Sequence, residues 1–451
     1  MSEQEKNLNR RQLLKASAVA LAAGAAASTE AICAWGISGN LNTTGYKGFS
    51  SYPQDWLEKI HNEVSFSVAN GLPGAVIAIQ LQGQQVLLEA HGYQRLYNQT
   101  ALMPVPQPMR EDTLFDLASL TKIFSTTLAF MRLVDAQQVN IDDPVSKYLP
   151  TFSGGDKANV TLRLLMQHRS GLPSSYHFYD PTQVPSSFYS QDRAKTCSLL
   201  PLVPLRSTPD TVTVYSDINF ALLGLILEKV TGLRQDRYVQ KFIYDPLGLK
   251  HTGYQLLQRG IAKDRFEATE RCGNTRDGRV WFPNIRTATI QGEVQDEFAY
   301  YSMGQISGHA GLFSTAADLT VLSELLLNGG SLGSYRLCSP QTVDLFTQTL
   351  SKDGSYALGF QIPTSATALI YGQLLPEAGK AVAHTGWTGK CVVIDFTHKS
   401  SFLLLNNKKH SPVIGMPNQN FNHFTADLLP SSIYGGTVQL FYAGLLTSVF
   451  G

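Results

Sequence analysis

Cysteine is scarce in this chain of 451 residues: five occur, Cys33, Cys197, Cys272, Cys338 and Cys391. They stand far apart, with no C-x-x-C pair and no histidine at ligand spacing, so no metal site is expected from them. An excess of charge of one sign is also absent, with 36 Lys and Arg against 35 Asp and Glu and no block of like charge. That balance argues against nucleic acid or a polyanionic surface as partner. The chain lacks an H-E-x-x-H pair, a P-loop and a G-x-G-x-x-G turn after a strand, and its one G-x-S-x-G match, Gly329-Gly330-Ser331-Leu332-Gly333, follows an apolar helical run and so lacks the strand-to-helix setting of a nucleophile elbow. These gaps remove several common hydrolase, metalloprotease and nucleotide-binding chemistries, and no cofactor is expected. Low-complexity tracts and regular repeats are missing too, which leaves an ordinary globular protein with 43% hydrophobic residues.

A long apolar run is the next absence. The nearest approach is Ala16 to Ala27, small and weakly hydrophobic, preceded by Asn9-Arg10-Arg11-Gln12-Leu13-Leu14-Lys15. It is shorter than the roughly 20 apolar residues that a membrane-crossing helix needs. Its layout is that of an export signal, and the paired arginines resemble the twin-arginine signal of bacteria. The expected organisation is a signal over residues 1–34, a Gly/Ser/Asn linker over 35–53, and a single enzyme domain over 54–451. A periplasmic location follows, and a retained, uncleaved signal would hold the chain at the inner membrane.

Along the domain, apolar spacing at Trp56, Leu57, Ile60, Val64 and Val68 predicts a helix that ends at Asn70-Gly71. Two β-favouring runs, 74–81 and 85–92, flank Gln82-Gly83 and predict a hairpin. A second hairpin is expected over 391–396 and 401–406, and an apolar helix over 437–449. Helices are read at 160–167, 217–230 and 312–327, and the polar stretch 285–298 reads as a loop at the mouth of a site. Strands at both ends of a helical middle give the fold class: α/β, in the sense of an α+β sandwich. An antiparallel sheet is assembled from the N- and C-terminal strands and flanked by helices, with an inserted, mostly helical lobe at roughly 125–310.

Chemistry has one clear address. Ser119 and Lys122 lie three apart in Asp116-Leu117-Ala118-Ser119-Leu120-Thr121-Lys122, within 111–143, a stretch free of Gly and Pro with a helical apolar period. Both side chains share one face, and this is the chain's only Ser-x-x-Lys. A desolvated lysine can take the proton of a serine hydroxyl that is otherwise a poor nucleophile. A capping serine beside a solvated lysine is the alternative reading. Further on, Tyr215-Ser216-Asp217 precedes an apolar helix, where Asp217 could cap and Tyr215 could pack. His384-Thr385-Gly386-Trp387 precedes the C-terminal hairpin.

Taken in order, Ser-x-x-Lys, Tyr-Ser-Asp and His-Thr-Gly resemble the three motifs of the serine β-lactamase and D,D-peptidase superfamily. His168-Arg169-Ser170-Gly171-Leu172, Asp245-Pro246-Leu247-Gly248-Leu249 and Ala310-Gly311-Leu312-Phe313-Ser314 are similar to its class C β-lactamase-related branch. Asn274-Thr275-Arg276-Asp277-Gly278, Phe282-Pro283-Asn284-Ile285-Arg286 and Tyr301-Ser302-Met303-Gly304 resemble, more narrowly, the penicillin-binding protein 4B family of D-alanyl-D-alanine carboxypeptidases. The resemblance implies a serine-type carboxypeptidase acting on peptidoglycan stem peptides, with β-lactams as ligands. An esterase or β-lactamase of the same fold and a penicillin-binding protein of low turnover are its alternatives. It implies Ser119 as nucleophile, Lys122 as its proton partner and Tyr215 as proton donor to the leaving amine. The backbone N–H groups of Ser119 and Trp387 form the oxyanion hole, and Asp217, His384, Thr385 and Gly386 line the substrate. Asp217 stands where the family has Asn, and His384 where it often has Lys, so a substrate carboxylate lacks an evident cation unless Lys390 or Arg286 supplies it.

Overall fold

The computed structural model describes residues 55–373, 376, 379–414 and 421–450. The expected signal and linker lie outside the described residues. Helix α1 spans Asp55–Ala69, and its buried Trp56, Leu57, Ile60 and Val64 are the residues whose spacing predicted it. Strands β1 (Gly74–Leu81) and β2 (Gln84–Asn98) follow as a hairpin. Its two turn residues, Gln82 and Gly83, both take positive φ, of 50° and 79°. That is the backbone of a tight two-residue hairpin turn, matched to the twist of the strands it joins.

Strand β3 (Ala101–Pro108) extends this hairpin at the sheet edge. The sequence pattern did not predict it, because Pro104, Pro106 and Pro108 interrupt it. Prolines are tolerated there because an outer strand need not donate on its free side. Strand β4 (Phe115–Asp116), a π-helical turn Lys122–Thr127 and helix α2 (Leu128–Asp135) come next. The helix expected across 111–143 therefore occupies only its centre, and the nucleophile turn stands before it.

Helix α3 covers Asp217–Thr231. Strands β5 (Gly253–Tyr254) and β6 (Leu312–Ser314) form a small antiparallel sheet with β4, in the order β4-β6-β5. The helix expected from residue 312 begins four residues later, as α4 (Ala316–Leu327), with the Thr315 side chain accepting from the Asp318 N–H. Strands β7 (Ala381–Gly386), β8 (Lys390–Asp395) and β9 (Ser400–Asn406) close the main sheet, and α5 (Gly435–Phe450) ends the described chain.

The main sheet is antiparallel throughout and ordered β7-β8-β9-β1-β2-β3, so that Ala75 pairs with Asn406 and Leu81 with Ser400. Both faces are covered. Val76, Ala78, Val392, Leu403 and Leu405 join a core with the helical middle of the chain, while Ala75, Ile77, Val393, Phe402 and Leu404 pack on α1 and α5. Two covered faces explain why β1 reads as an apolar run interrupted only by Gln80, where a half-exposed strand would alternate. Among the described residues no helix is long and apolar enough to cross a membrane.

Candidate active site

The chain turns sharply between β4 and the π-helical turn. Ala118, just before the serine, takes φ 45°, a conformation uncommon for a residue with a Cβ. The buried Asp116 carboxylate holds this turn: Oδ1 accepts from the Ala118 N–H at 3.0 Å and Oδ2 from the Gln295 N–H at 2.7 Å. Helical hydrogen bonding then starts as i to i+3 contacts, Thr121 to Ala118 and Lys122 to Ser119, both 3.0 Å. Ser119 thus sits at the mouth of a helix with its side chain half-buried, while Lys122 is wholly buried.

Lys122 Nζ donates to Ser119 Oγ at 2.9 Å, to Asp217 Oδ1 at 2.7 Å and to the His309 carbonyl at 3.2 Å. Tyr215 Oη donates to Ser119 Oγ at 2.7 Å. Two donors converge on one hydroxyl, an arrangement that a helix cap does not need. The alternative of a solvated lysine is excluded by its burial.

The second motif divides its tasks. Ser216 caps α3 by accepting from the Asn219 N–H, and its own hydroxyl donates to the Pro173 carbonyl at 2.6 Å. The capping role that the sequence left open for Asp217 therefore falls to its neighbour, and the Asp217 carboxylate is free to meet Lys122. Tyr215 is fixed by His168, whose Nδ1 accepts from the Ser216 N–H at 3.0 Å and whose ring lies 4.6 Å from the tyrosine ring. Burial, and then the Asp217 charge, push the Tyr215 phenol well above its ordinary range. It is thus a neutral donor at any moderate pH.

The opposite wall comes from β7. A Cβ on Gly386 would stand 2.6 Å from the Leu117 carbonyl, so only glycine lets this strand approach the nucleophile turn. Thr388 locks the contact by donating to the Asp116 carbonyl at 2.8 Å. Trp387 lies between these two anchors. Neither its backbone N–H nor that of Ser119 has a protein acceptor among the described residues, which is what an oxyanion hole requires. Thr385 pairs with Cys391 in the strand ladder, and its carbonyl accepts from His384 Nδ1 at 2.8 Å.

Burial, and then the charge of Lys122, depress His384 to about 3. It is a neutral imidazole, unable to attract a carboxylate. The two other cations are committed elsewhere. Lys390 is fully buried and ion-paired with Glu267 at 2.6 Å, and Glu267 in turn accepts from the Asp116 N–H at 3.0 Å. Arg286 donates twice to Asn274 Oδ1 and stacks on the Tyr300 ring at 3.4 Å.

Sequence reading missed one pair. In the loop expected at the site mouth, Asp296 Oδ1 meets His309 Nε2 at 2.9 Å. Burial would raise its carboxyl, but His309 and then Lys122 outweigh that and hold it below the usual range. A second anion therefore faces the Ser119–Lys122 cluster. Nothing local marked it, since Asp296 and His309 belong to no motif of fixed spacing.

Comparison with known proteins fits this geometry. The family model described as Beta-lactamase matches residues 59–420. A protein of Bacillus subtilis (strain 168) named "N-acetylmuramyl-L-alanine amidase" is 43% identical over 86% of this chain and 89% of the relative. A protein of Escherichia coli (strain K12) named "Putative D-alanyl-D-alanine carboxypeptidase" is 39% identical over 86% of this chain and 90% of its own. The crystal structure of a penicillin-binding protein homolog from Caulobacter crescentus superposes with a TM-score of 0.63 at 22% identity, covering 88% of this chain and 99% of that one.

Proposed function

The chain belongs to the beta-lactamase family, and from that premise we propose that it is an extracytoplasmic serine peptidase that removes terminal D-alanine from peptidoglycan stem peptides through an acyl-enzyme on Ser119. The observation that carries this reading is the convergence of Lys122 Nζ and Tyr215 Oη on Ser119 Oγ. In its neutral form Lys122 takes the serine proton as Oγ attacks the scissile carbonyl. The oxyanion that forms is held by the N–H groups of Ser119 and Trp387. Tyr215 gives its proton to the leaving nitrogen, the C–N bond breaks, and Lys122 restores the tyrosine proton. Water then hydrolyses the ester and frees Ser119. In this reading the serine proton goes to Lys122 and the leaving nitrogen takes its proton from Tyr215, whose phenol stays neutral at moderate pH. Asp217, His384, Thr385 and Gly386 line the substrate.

The test is a product analysis on the full chain. Incubation with a muramyl pentapeptide should release D-alanine, and labelled penicillin should add one penicilloyl mass to the peptide that carries Ser119. Release of the intact stem peptide would instead support the bond in the name of the Bacillus relative. A stable penicilloyl adduct with no product from any peptide or ester would support a penicillin-binding protein of low turnover. No adduct at all would remove the acyl-enzyme.

A second reading, a hydrolase of neutral esters or β-lactams, is favoured by one observation: Asp217 and Asp296 face the Lys122 cluster while His384 is uncharged. Two anions disfavour a carboxylate at close range. Asp217→Asn is therefore expected to raise kcat/KM for a peptide with a free C-terminus, relative to its C-terminal amide, by about tenfold or more. An unchanged ratio would show that Asp217 does not sense the substrate charge.

A further inference from the structure

On the sheet face opposite to His384, three side chains far from Ser119 meet in a way that the peptidase reading does not use. His61 comes from α1, and Glu89 and His91 from β2. Spacing of two along a strand puts Glu89 and His91 on one face, where they sit beside Ile77 and Ala75 of β1, the residues that pack under α1. His384 follows Ala383, which belongs to that same core, and so points to the other side.

Glu89 Oε2 lies 2.8 Å from His61 Nδ1 and 3.1 Å from His91 Nε2. All three ligand atoms fall within 4.8 Å of one another. The group is neither sealed nor loose: the side chains of His61, Glu89 and His91 are 33%, 20% and 7% exposed. Burial pushes the Glu89 carboxyl up, but hydrogen bonds from His91 and His61 outweigh that and hold it below its ordinary value.

The second layer is what distinguishes this cluster from an ordinary ion pair. Ser65, one turn after His61 on α1, places Oγ 3.4 Å from His61 Nε2 and 3.2 Å from His91 Nδ1. Two neutral imidazoles that both donate to Glu89 turn two lone pairs toward Ser65, and its single proton can satisfy only one of them. A cation between the three ligands reverses this. His61 Nδ1 and His91 Nε2 then offer lone pairs to the ion and their other N–H groups both donate to Ser65 Oγ, so that each ring nitrogen has a partner. Metal-bound histidines are oriented by such outer hydrogen bonds.

We infer that His61, Glu89 and His91 form a binding site for a divalent transition-metal ion of zinc type, with Ser65 orienting both imidazoles. Two nitrogens and a carboxylate oxygen suit zinc, and the partial exposure of His61 leaves a fourth position for water. Tetrahedral zinc with bonds of about 2.0–2.1 Å sets its ligands about 3.3 Å apart. The two Glu89 contacts reach that spacing by opening a few tenths of an ångström, and the two imidazole nitrogens, which lie within 4.8 Å of one another, close on the ion. Because the ion ties α1 to β2 on the face away from Ser119, its role is to clamp the helix to the sheet, with no part in acyl transfer.

The full chain, stripped with a chelator, tests this by titration with zinc and with cobalt. One equivalent of zinc is expected to raise Tm, and cobalt to give the visible absorption of a tetrahedral site, with turnover of a nitrophenyl ester unchanged. Glu89→Gln and His61→Gln should each weaken binding by about 100-fold, and Ser65→Ala by about tenfold. The zinc-induced change in Tm is compared within each variant, so a difference in starting stability does not enter, and ester turnover reports that each variant is folded. No rise in Tm and no cobalt band at millimolar metal would overturn the site. So would a response of equal size in Glu89→Gln, which would place the ion elsewhere, on a cysteine or a surface histidine.

Discussion

Ser119→Ala and Lys122→Ala should each lower ester turnover by about 10⁴-fold or more, and the double variant should fall no further. The reason is that neither residue acts alone. Ser119 Oγ is poorly nucleophilic until its proton leaves, and Lys122 Nζ at 2.9 Å is the buried amine placed to receive it. With either gone, what survives is the oxyanion hole at Ser119 and Trp387 together with substrate binding. Tyr215→Phe should cost less, about 10²–10³-fold, and more for amides than for nitrophenyl esters, whose leaving group needs no proton. Rates for the four variants on a matched ester and amide pair check this. Additive losses for Ser119 and Lys122 would mean that the two do not share a proton.

The second large effect is on stability in acid. Burial depresses His384 and His410 to about 3. His410 is held by its surroundings: Nε2 accepts from the Leu96 and Tyr97 N–H groups at 3.1 and 2.9 Å, and Nδ1 donates to the Thr269 carbonyl at 3.0 Å. The unfolded chain protonates each imidazole below about pH 6.5, whereas the folded chain resists until about pH 3, so each costs about 1.4 kcal/mol per pH unit across that window. Buried carboxyls act in the opposite sense, Glu267 and Glu270 most strongly. Burial raises Glu267 to about 8 and Glu270 to about 7, so the folded chain takes up their protons first and gains stability as pH falls toward 4.5.

Below pH 4.5 the offset from Glu267 and Glu270 is complete, and the depressed histidines, His168 among them, outweigh what Asp116 and Asp318 still contribute. The free energy of unfolding should therefore drop by about 4 kcal/mol between pH 4.5 and 3, a large part of a typical total. Urea midpoints at pH 6, 4.5 and 3 measure it. His410→Gln keeps an acceptor for the two N–H groups but cannot titrate, and should lower the slope by about a third, leaving His384 and His168 to carry the rest. A flat response from pH 4.5 to 3 would mean that these imidazoles are charged in the folded protein.

Much of the scaffold was legible because it is written locally. Periodicity along Trp56, Ile60 and Val64 marked α1, and Gln82-Gly83 marked the hairpin turn. Apolar runs with no alternation marked the strands of a sheet covered on both faces. Strand β3 escaped because its prolines oppose the strand pattern and only its edge position tolerates them. The helix at Ser119 began later than its pattern implied because Asp116 and a positive φ at Ala118 impose a turn that hydrophobic spacing does not encode. Ser119, Lys122, Tyr215 and His384 could be picked out through ordered motifs. Asp296, His309 and the His61–Glu89–His91 group could not, since each is assembled by tertiary packing from residues with no fixed spacing.

The pairing of β1 with β9, Leu81 beside Ser400, has a consequence for how the molecule comes into being. On a growing chain β1 is made early, and its partner is among the last segments to appear. Until then one edge of β1 presents unpaired backbone N–H and C=O groups between mostly apolar side chains, the kind of edge that recruits other strands. The wall carrying His384 and Trp387 is equally late, so on the proposed reading a nascent chain holds Ser119 without the strand that completes its site. A chain cut short before residue 400 should then be both inert and prone to aggregate.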